Sequence, residues 1–328
     1  MSLQAAGAAT MQEWDSPGAA DRQELEGAGG DTAGQGPPVV LTIAGLDPSA
    51  GAGVTADLKV FAAHRLYGVT AVTALTVQST VGVRRVEAVS AELLRETLGC
   101  LAEDLPIAGV KIGMLGTALL VRAVAEFLDA LRGASPRAIP VVLDPVLRSS
   151  SGHELLEGEG LAWLRTRLLP LVDCVTPNTA ELALLAGEAL ATPATGRGDV
   201  ERMAGLLAEQ QGALAIVATG GQLGSPDDYV VVPGQRPGWL PGQWVQTTAT
   251  HGTGCAHSSA LLCGLVAGLS VYQAAAAAKG YVTEALRQAT PMGTGGGSMQ
   301  HLYTAFSSEQ LRACRLESPE GEADAAER

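Results

Sequence analysis

The stretch Thr250-His251-Gly252-Thr253-Gly254-Cys255, followed by the small-residue run Ala256 to Gly268, is where this chain concentrates chemistry. A glycine turn opening a helix aims backbone N–H groups at one point and places them at the positive end of the helix dipole. That combination holds charge developing on a phosphoryl group. Gly252, Thr253 and Gly254 thus read as an anion hole. Cys255 stands where its side chain reaches a reacting hydroxyl. A helix N-terminus lowers a thiol pKa, so a lowered one is expected for Cys255.

Other stretches give the turn a setting. Val40 to Lys59 runs from an apolar strand through the Gly/Pro turn Asp47-Pro-Ser-Ala-Gly51-Ala-Gly53 into a helix carrying Asp57. Lys111-Ile-Gly-Met114 and Val141-Val-Leu-Asp144-Pro-Val146 are short apolar runs that each end in a candidate site residue. Asn178 and Glu181 are spaced N-x-x-E at a helix start, which fits an N-cap closed by a capping box.

These residues need a frame. Apolar runs at Val39–Ile43, Thr70–Leu75, Gly109–Ile112, Pro140–Leu143, Cys174–Thr176 and Ala213–Val217 alternate with helical patterns. The alternation predicts an α/β fold, a mostly parallel central sheet with helices on both faces, in one domain. Ligands of such sheets gather beyond the carboxyl ends of the strands, where Asp47, Gln78, Met114, Asp144 and Asn178 stand. A hairpin is expected from Tyr229–Val232 and Trp244–Thr247. Residues 1–37, rich in Ala, Gly and Glu, read as a disordered tail, 38–312 as the folded domain and 313–328 as an acidic tail.

Composition excludes some partners. A net charge of −13 disfavours nucleic acid and anionic membranes, so a phosphate pocket must be built locally. The 47% hydrophobic content suffices for one large core. Five cysteines without C-x-x-C spacing predict buried thiols at 100, 174 and 263 and a reducing, cytoplasmic setting.

Taken in order, these motifs resemble the phosphomethylpyrimidine kinases of thiamine biosynthesis, a branch of the ribokinase superfamily, over about Pro38 to Tyr303. The resemblance implies a ribokinase-like fold, ATP and Mg2+ as cofactors, and a cytoplasmic homodimer. It implies phosphorylation of 4-amino-5-hydroxymethyl-2-methylpyrimidine and then of its monophosphate to the diphosphate. Carried onto this sequence, the substrate contacts are Gly45, Asp57, Gln78, Met114 and Val146. Gln78 would match the ring edge with its amide, and Asp57 would accept from the amine or hydroxyl. Asn178, Glu181, Thr219 and Gly221 would serve the nucleotide. The N-x-x-E spacing of Asn178 and Glu181 resembles a superfamily element that organises magnesium and nucleotide phosphates through water, a role compatible with the cap. Glu181 and Asp144 would hold magnesium through water, since magnesium keeps most of its waters and needs few carboxylates. Most ribokinase relatives place Asp where Cys255 stands, which implies Cys255 as a thiolate acting as the acceptor's base. Where the family often shows Lys-Gly-Gly-His, this chain has Ala218-Thr219-Gly220-Gly221-Gln222, so phosphate charge falls to Thr219, Lys279 or Arg148. His257 also departs from the family pattern, with no role assigned by the sequence. Rival readings are a pyridoxal or pyridoxine kinase of the same superfamily and a non-catalytic pyrimidine-binding protein.

Overall fold

Val39 to Leu46 is apolar almost throughout and forms β1, buried along nearly its whole length, as a strand covered by helices on both faces must be. The computed structural model describes residues 36–134, 138–147, 155–156, 158–187, 194–290 and 292–304. Both expected tails, apart from Gly36 and Pro37, and Arg148 lie outside those residues.

The sheet continues through β2 (Tyr67–Ser79), β3 (Gly82–Ala88), β4 (Ile107–Ile112), β5 (Val141–Leu143), β6 (Cys174–Val175), β7 (Ala215–Ala218), β8 (Asp228–Val231) and β9 (Gly238–Leu240). Its order is β3-β2-β1-β4-β5-β6-β7-β8-β9. The pairs from β2 to β7 are parallel, while β3, β8 and β9 join antiparallel. The carboxyl ends of β1, β4, β5, β6 and β7 therefore share one end of the sheet.

Side chains alternate across each strand, and the core divides accordingly. Leu41, Ile43 and Ile112 face one layer, formed by α2 (Ala91–Asp104), α3 (Ala118–Ala134), α4 (Gly158–Trp163), α5 (Thr179–Ala186) and α6 (Arg197–Gln211). Val40, Val142 and Val217 face the other, formed by α1 (Gly53–Ala63), α7 (Thr253–Val266) and α8 (Val271–Arg287). Small residues on α7 and α8 allow close approach: a Cβ on Gly264 would crowd Ala274.

Three expectations need correction. The hairpin partner of β8 is Gly238–Leu240 rather than Trp244–Thr247, because the turn closes at Pro233-Gly234 and pairs the nearer apolar residues. Strand β3, whose polar, exposed residues gave no apolar signal, pairs along β2. Cys100 is exposed on α2, while Cys174 and Cys263 are buried as expected.

Candidate functional site

The loop after β1 is wound around one carboxylate. Asp47 accepts from the Ser49 amide and hydroxyl and from the Gly51 and Ala52 amides, at 2.7–3.2 Å. It lies 2.8 Å from Nε2 of His251. Burial works against its charge, but the His251 ring and the Ser49 hydroxyl and amide outweigh it and hold the carboxyl at about 2. His251 thereby locks the loop before α7 to the loop before α1. A Cβ on Gly252 (φ +81°) would overlap the Gly51 carbonyl, and one on Gly53 (φ +57°) the Gly45 carbonyl. Only glycine fits these contacts. Ala50 adopts φ +60° without that freedom, and Lys59 donates to its carbonyl at 2.7 Å.

Beneath the two loops lies a buried polar cluster. Asp57, with no exposed surface, accepts from Lys111 Nζ at 2.9 and 3.1 Å, Thr42 Oγ1 at 2.6 Å and Ser259 Oγ at 2.8 Å. Its two oxygens are engaged from α7, β1 and β4 at once. This corrects its expected place as an acceptor for the substrate amine or hydroxyl: Asp57 holds Lys111, and no face of it is open to a ligand. Burial opposes the Lys111 charge, but Asp57, Cys255 and Asp144 override it and hold the ammonium above its ordinary range.

Cys255 lies in the first turn of α7, partly exposed, between Lys111 and Asp144. The expected lowered pKa is not what the site produces. Burial pushes the thiol up to about 12; Lys111 and the Gly53 amide pull it down, and Asp144 and Asp57 push it further up. In the free protein Cys255 is a thiol, because burial dominates and Asp144 and Asp57 add to it against the pull of Lys111. Asp144, at the end of β5, accepts from Ser258 Oγ at 3.3 Å. Burial raises its proton affinity, Lys111 lowers it and Asp57 raises it again.

The next strand end brings a second carboxylate. Asn178 caps α5, accepting from the Ala180 and Glu181 amides at 3.0 Å each, and its own amide donates to Glu181 Oε2 at 2.9 Å, closing the capping box. Burial, with Asp144 adding to it, lifts Glu181 to about 8, while the Asn178 and Leu147 amides pull it down. Asp144 thus adds to the proton affinity of Glu181, and Lys111 offsets part of the burial cost at Asp144. Among the described residues no cluster of three metal-ligating side chains occurs.

The remaining expected residues fall on two sides. Gly45 abuts Met114, whose methyl a Cβ would overlap, and Thr73 Oγ1 donates to the Met114 carbonyl at 2.6 Å. Val146 follows Asp144 in a tight turn, its amide donating to the Asp144 carbonyl at 2.8 Å. Gln78 Nε2 stands 3.2 Å from His251 Nε2, in the wall of a cavity of about 320 Å³ that Pro48, Ser49 and Met292 also line. On the other side, the Thr219 amide donates to the Pro177 carbonyl at 2.9 Å, and Gly221 opens a short 3-10 turn. Lys279 Nζ, one of the groups to which phosphate charge would fall, is paired with Asp228 at 2.9 Å.

Sequence reasoning missed Lys111, Ser258, Ser259 and Thr42. The signal existed for Lys111, since a lysine inside the apolar run Ile107–Ile112 must find a buried carboxylate.

Comparisons with known proteins show the family to which the chain belongs. The family model described as phosphomethylpyrimidine kinase matches residues 47–300. A hydroxymethylpyrimidine/phosphomethylpyrimidine kinase of Synechococcus elongatus is 37% identical over 273 residues, 82% of this chain and 99% of its own length. One of Rhizobium meliloti is 38% identical over 270 residues, 81% of this chain and 97% of its own. Among solved structures, a phosphomethylpyrimidine kinase of Clostridium difficile aligns with TM-score 0.64 at 30% identity, covering 76% of this chain and 99% of that one. An ADP complex of Bacillus subtilis pyridoxal kinase aligns with TM-score 0.72 at 28% identity, covering 84% and 99%. With the family model spanning most of the chain and relatives matched nearly end to end, this protein belongs to the phosphomethylpyrimidine kinase family.

Proposed function

We propose that the protein transfers the γ-phosphoryl group of ATP to the hydroxymethyl of 4-amino-5-hydroxymethyl-2-methylpyrimidine, and then a second phosphoryl to the monophosphate, in thiamine biosynthesis. The observation that carries this reading is the meeting of Cys255, Lys111, Asp144 and the glycine-turn amides at one end of the sheet. Phosphoryl transfer asks chiefly for positioning and charge neutralisation, which this set supplies.

The Gly252–Gly254 turn would receive the transferring group, with Lys111 held behind it by Asp57. Gly45, Met114 and Val146 would pack the ring, and Gln78 would meet its polar edge. Thr219, Gly221 and Asn178 would face the nucleotide. Asp144 and Glu181 fit a hard divalent cation: both are buried carboxylates whose proton affinity burial raises, and Asp144 adds to that of Glu181. Bound there through water, Mg2+ would neutralise phosphate charge. Cys255 would take the hydroxyl proton, with the Lys111 ammonium beside it favouring the thiolate.

The reading extends to a cytoplasmic homodimer. Leu75 and Val77 support the dimer, being 52% and 54% exposed on one face of β2. The unpaired Cys174, Cys255 and Cys263 suit a reducing compartment. Activity on pyridoxal is a second reading, supported by the likeness to solved pyridoxal kinases and by the hydroxymethyl group common to both acceptors.

A coupled assay of ADP formation with each acceptor tests these readings. ATP consumption dependent on the hydroxymethylpyrimidine, exceeding that with pyridoxal at equal concentration, is expected. Faster turnover of pyridoxal would favour the second reading, and binding of the pyrimidine without turnover would leave a non-catalytic binding protein.

A further inference from the structure

His257 sits two residues after Cys255 on α7 with its side chain 7% exposed, and neither ring nitrogen has a hydrogen-bond partner. A buried imidazole left this way costs free energy, and such an orphan in a folded protein calls for an explanation. Its Nε2 lies 3.5 Å from Asp228 Oδ2 without hydrogen-bond geometry, and that oxygen, also lacking a hydrogen-bond partner, is ion-paired with Lys279 Nζ at 2.9 Å. The other carboxylate oxygen accepts from the Gly220 amide at 3.2 Å. Asp228 therefore ties the turn between Thr219 and Gly221 to two cations-in-waiting, one from α7 and one from α8.

We propose that His257 is a positioning residue for the nucleotide half of the site, the standby partner of Asp228 that frees Lys279 to meet phosphate charge. The argument rests on the reading of Thr219–Gly221 as the nucleotide turn. Lys279 lies one carboxylate away from the Gly220 amide, and its side chain keeps 14% exposure. An anion seated on that turn attracts it. Leaving Asp228 buried and unpaired would be costly, and a shift of His257 by a few tenths of an ångström closes the gap. The charged groups facing His257 are Asp228 of β8 and Lys279 of α8. Burial disfavours the imidazolium, Asp228 favours it and Lys279 opposes it. Departure of Lys279 removes the opposing charge, so the ring takes one proton from solvent as Lys279 moves. The carboxylate exchanges an ammonium for an imidazolium, and the Gly220 turn keeps its anchor.

The test follows protons and nucleotide together. The full chain is titrated calorimetrically with the non-hydrolysable analogue AMP-PCP and Mg2+ near pH 7, in two buffers of different ionisation enthalpy. Any proton release at the metal carboxylates is common to wild type and His257→Gln, so the difference between them isolates His257. Wild type is expected to take up more protons than the variant, approaching one, and the variant to bind the analogue roughly tenfold more weakly with unchanged acceptor affinity. Independent of that variant's folding, the His257 ring resonances in wild type should move from neutral to imidazolium on adding AMP-PCP. In Lys279→Met they should already do so without nucleotide. Nucleotide binding with equal proton counts and a ring that stays neutral overturns the proposal alone. Absence of nucleotide binding overturns the nucleotide reading of the turn, and this inference with it.

Discussion

Replacing Lys111 by Met isolates what the buried pair contributes. The substitution keeps the side-chain volume but removes the ammonium that donates twice to Asp57 at 2.9 and 3.1 Å. Asp57 retains Thr42 and Ser259 as neutral donors, yet its charge is then uncompensated with no exposed surface. Breaking a buried ion pair from one side costs about 3 to 5 kcal/mol. With about 2 to 4 °C lost per kcal/mol in a domain of this size, the melting temperature should fall by about 6 to 20 °C. Making Lys111→Met in an Asp57→Asn background should recover much of the loss, because no charge is then left unpaired. Differential scanning calorimetry of the two single variants and the double variant measures the coupling directly. A Lys111→Met protein melting within about 2 °C of wild type, with no recovery in the double variant, would refute the buried-pair argument.

The other predictions concern the reacting groups. Cys255→Ala should lower turnover of the hydroxymethylpyrimidine by ~10² to 10⁴ with ATP and acceptor affinities little changed, and near-normal turnover would reduce Cys255 to a packing residue. With its thiol pushed up to about 12, wild-type Cys255 should react slowly with iodoacetamide at pH 7.5 and steeply faster as pH rises. Glu181, lifted to about 8, binds a proton in the folded state that the unfolded chain releases near 4.5, so it makes stability fall as pH rises from about 4.5 to 8. Glu181→Gln should therefore melt higher than wild type at pH 8.5 and lose stabilisation by Mg2+; a lower melting temperature with Mg2+ stabilisation intact would count against the carboxylate pair. Gln78→Leu should weaken acceptor binding by about 1 to 3 kcal/mol while sparing ATP, and calorimetry showing an unchanged acceptor affinity would remove Gln78 from the pocket. Changing Leu75 and Val77 together to Asp should convert a dimer to a monomer in sedimentation velocity, and an unaltered sedimentation coefficient would place any interface elsewhere.

Sequence pattern made the parallel strands legible because a strand buried on both faces is a continuous apolar run, as β1 and β5 are. It could not reveal β3, whose exposed Arg84, Arg85 and Glu87 pair only because β2 supplies an edge. The glycine turn, the N-x-x-E cap and Asp144 were readable since their geometry is local. Asp57 and Cys255 were misread for one reason: the access of Asp57 depends on Lys111 and Ser259, and the thiol of Cys255 on Lys111 and Asp144, all brought in from distant parts of the chain. Spacing along the sequence says which groups can exist at a helix start, whereas the field they experience comes from three strands and two helices closing over them.

The contact of Gly252 with Gly51, sealed by His251 on Asp47 across 204 residues, bears on how the chain acquires its site. Contacts so distant in sequence are entropically slow to close, and during vectorial synthesis the first loop emerges long before its partner. Strands β1 to β5 can assemble while Asp57 still awaits Ser259 and the Asp47 loop awaits His251. Until α7 docks, the half-built protein carries a buried lysine–aspartate pair with an open side and no anion hole. A nascent or truncated chain ending before residue 250 therefore lacks the last quarter of the sequence and has neither the Gly252–Gly254 turn nor the Cys255 thiol.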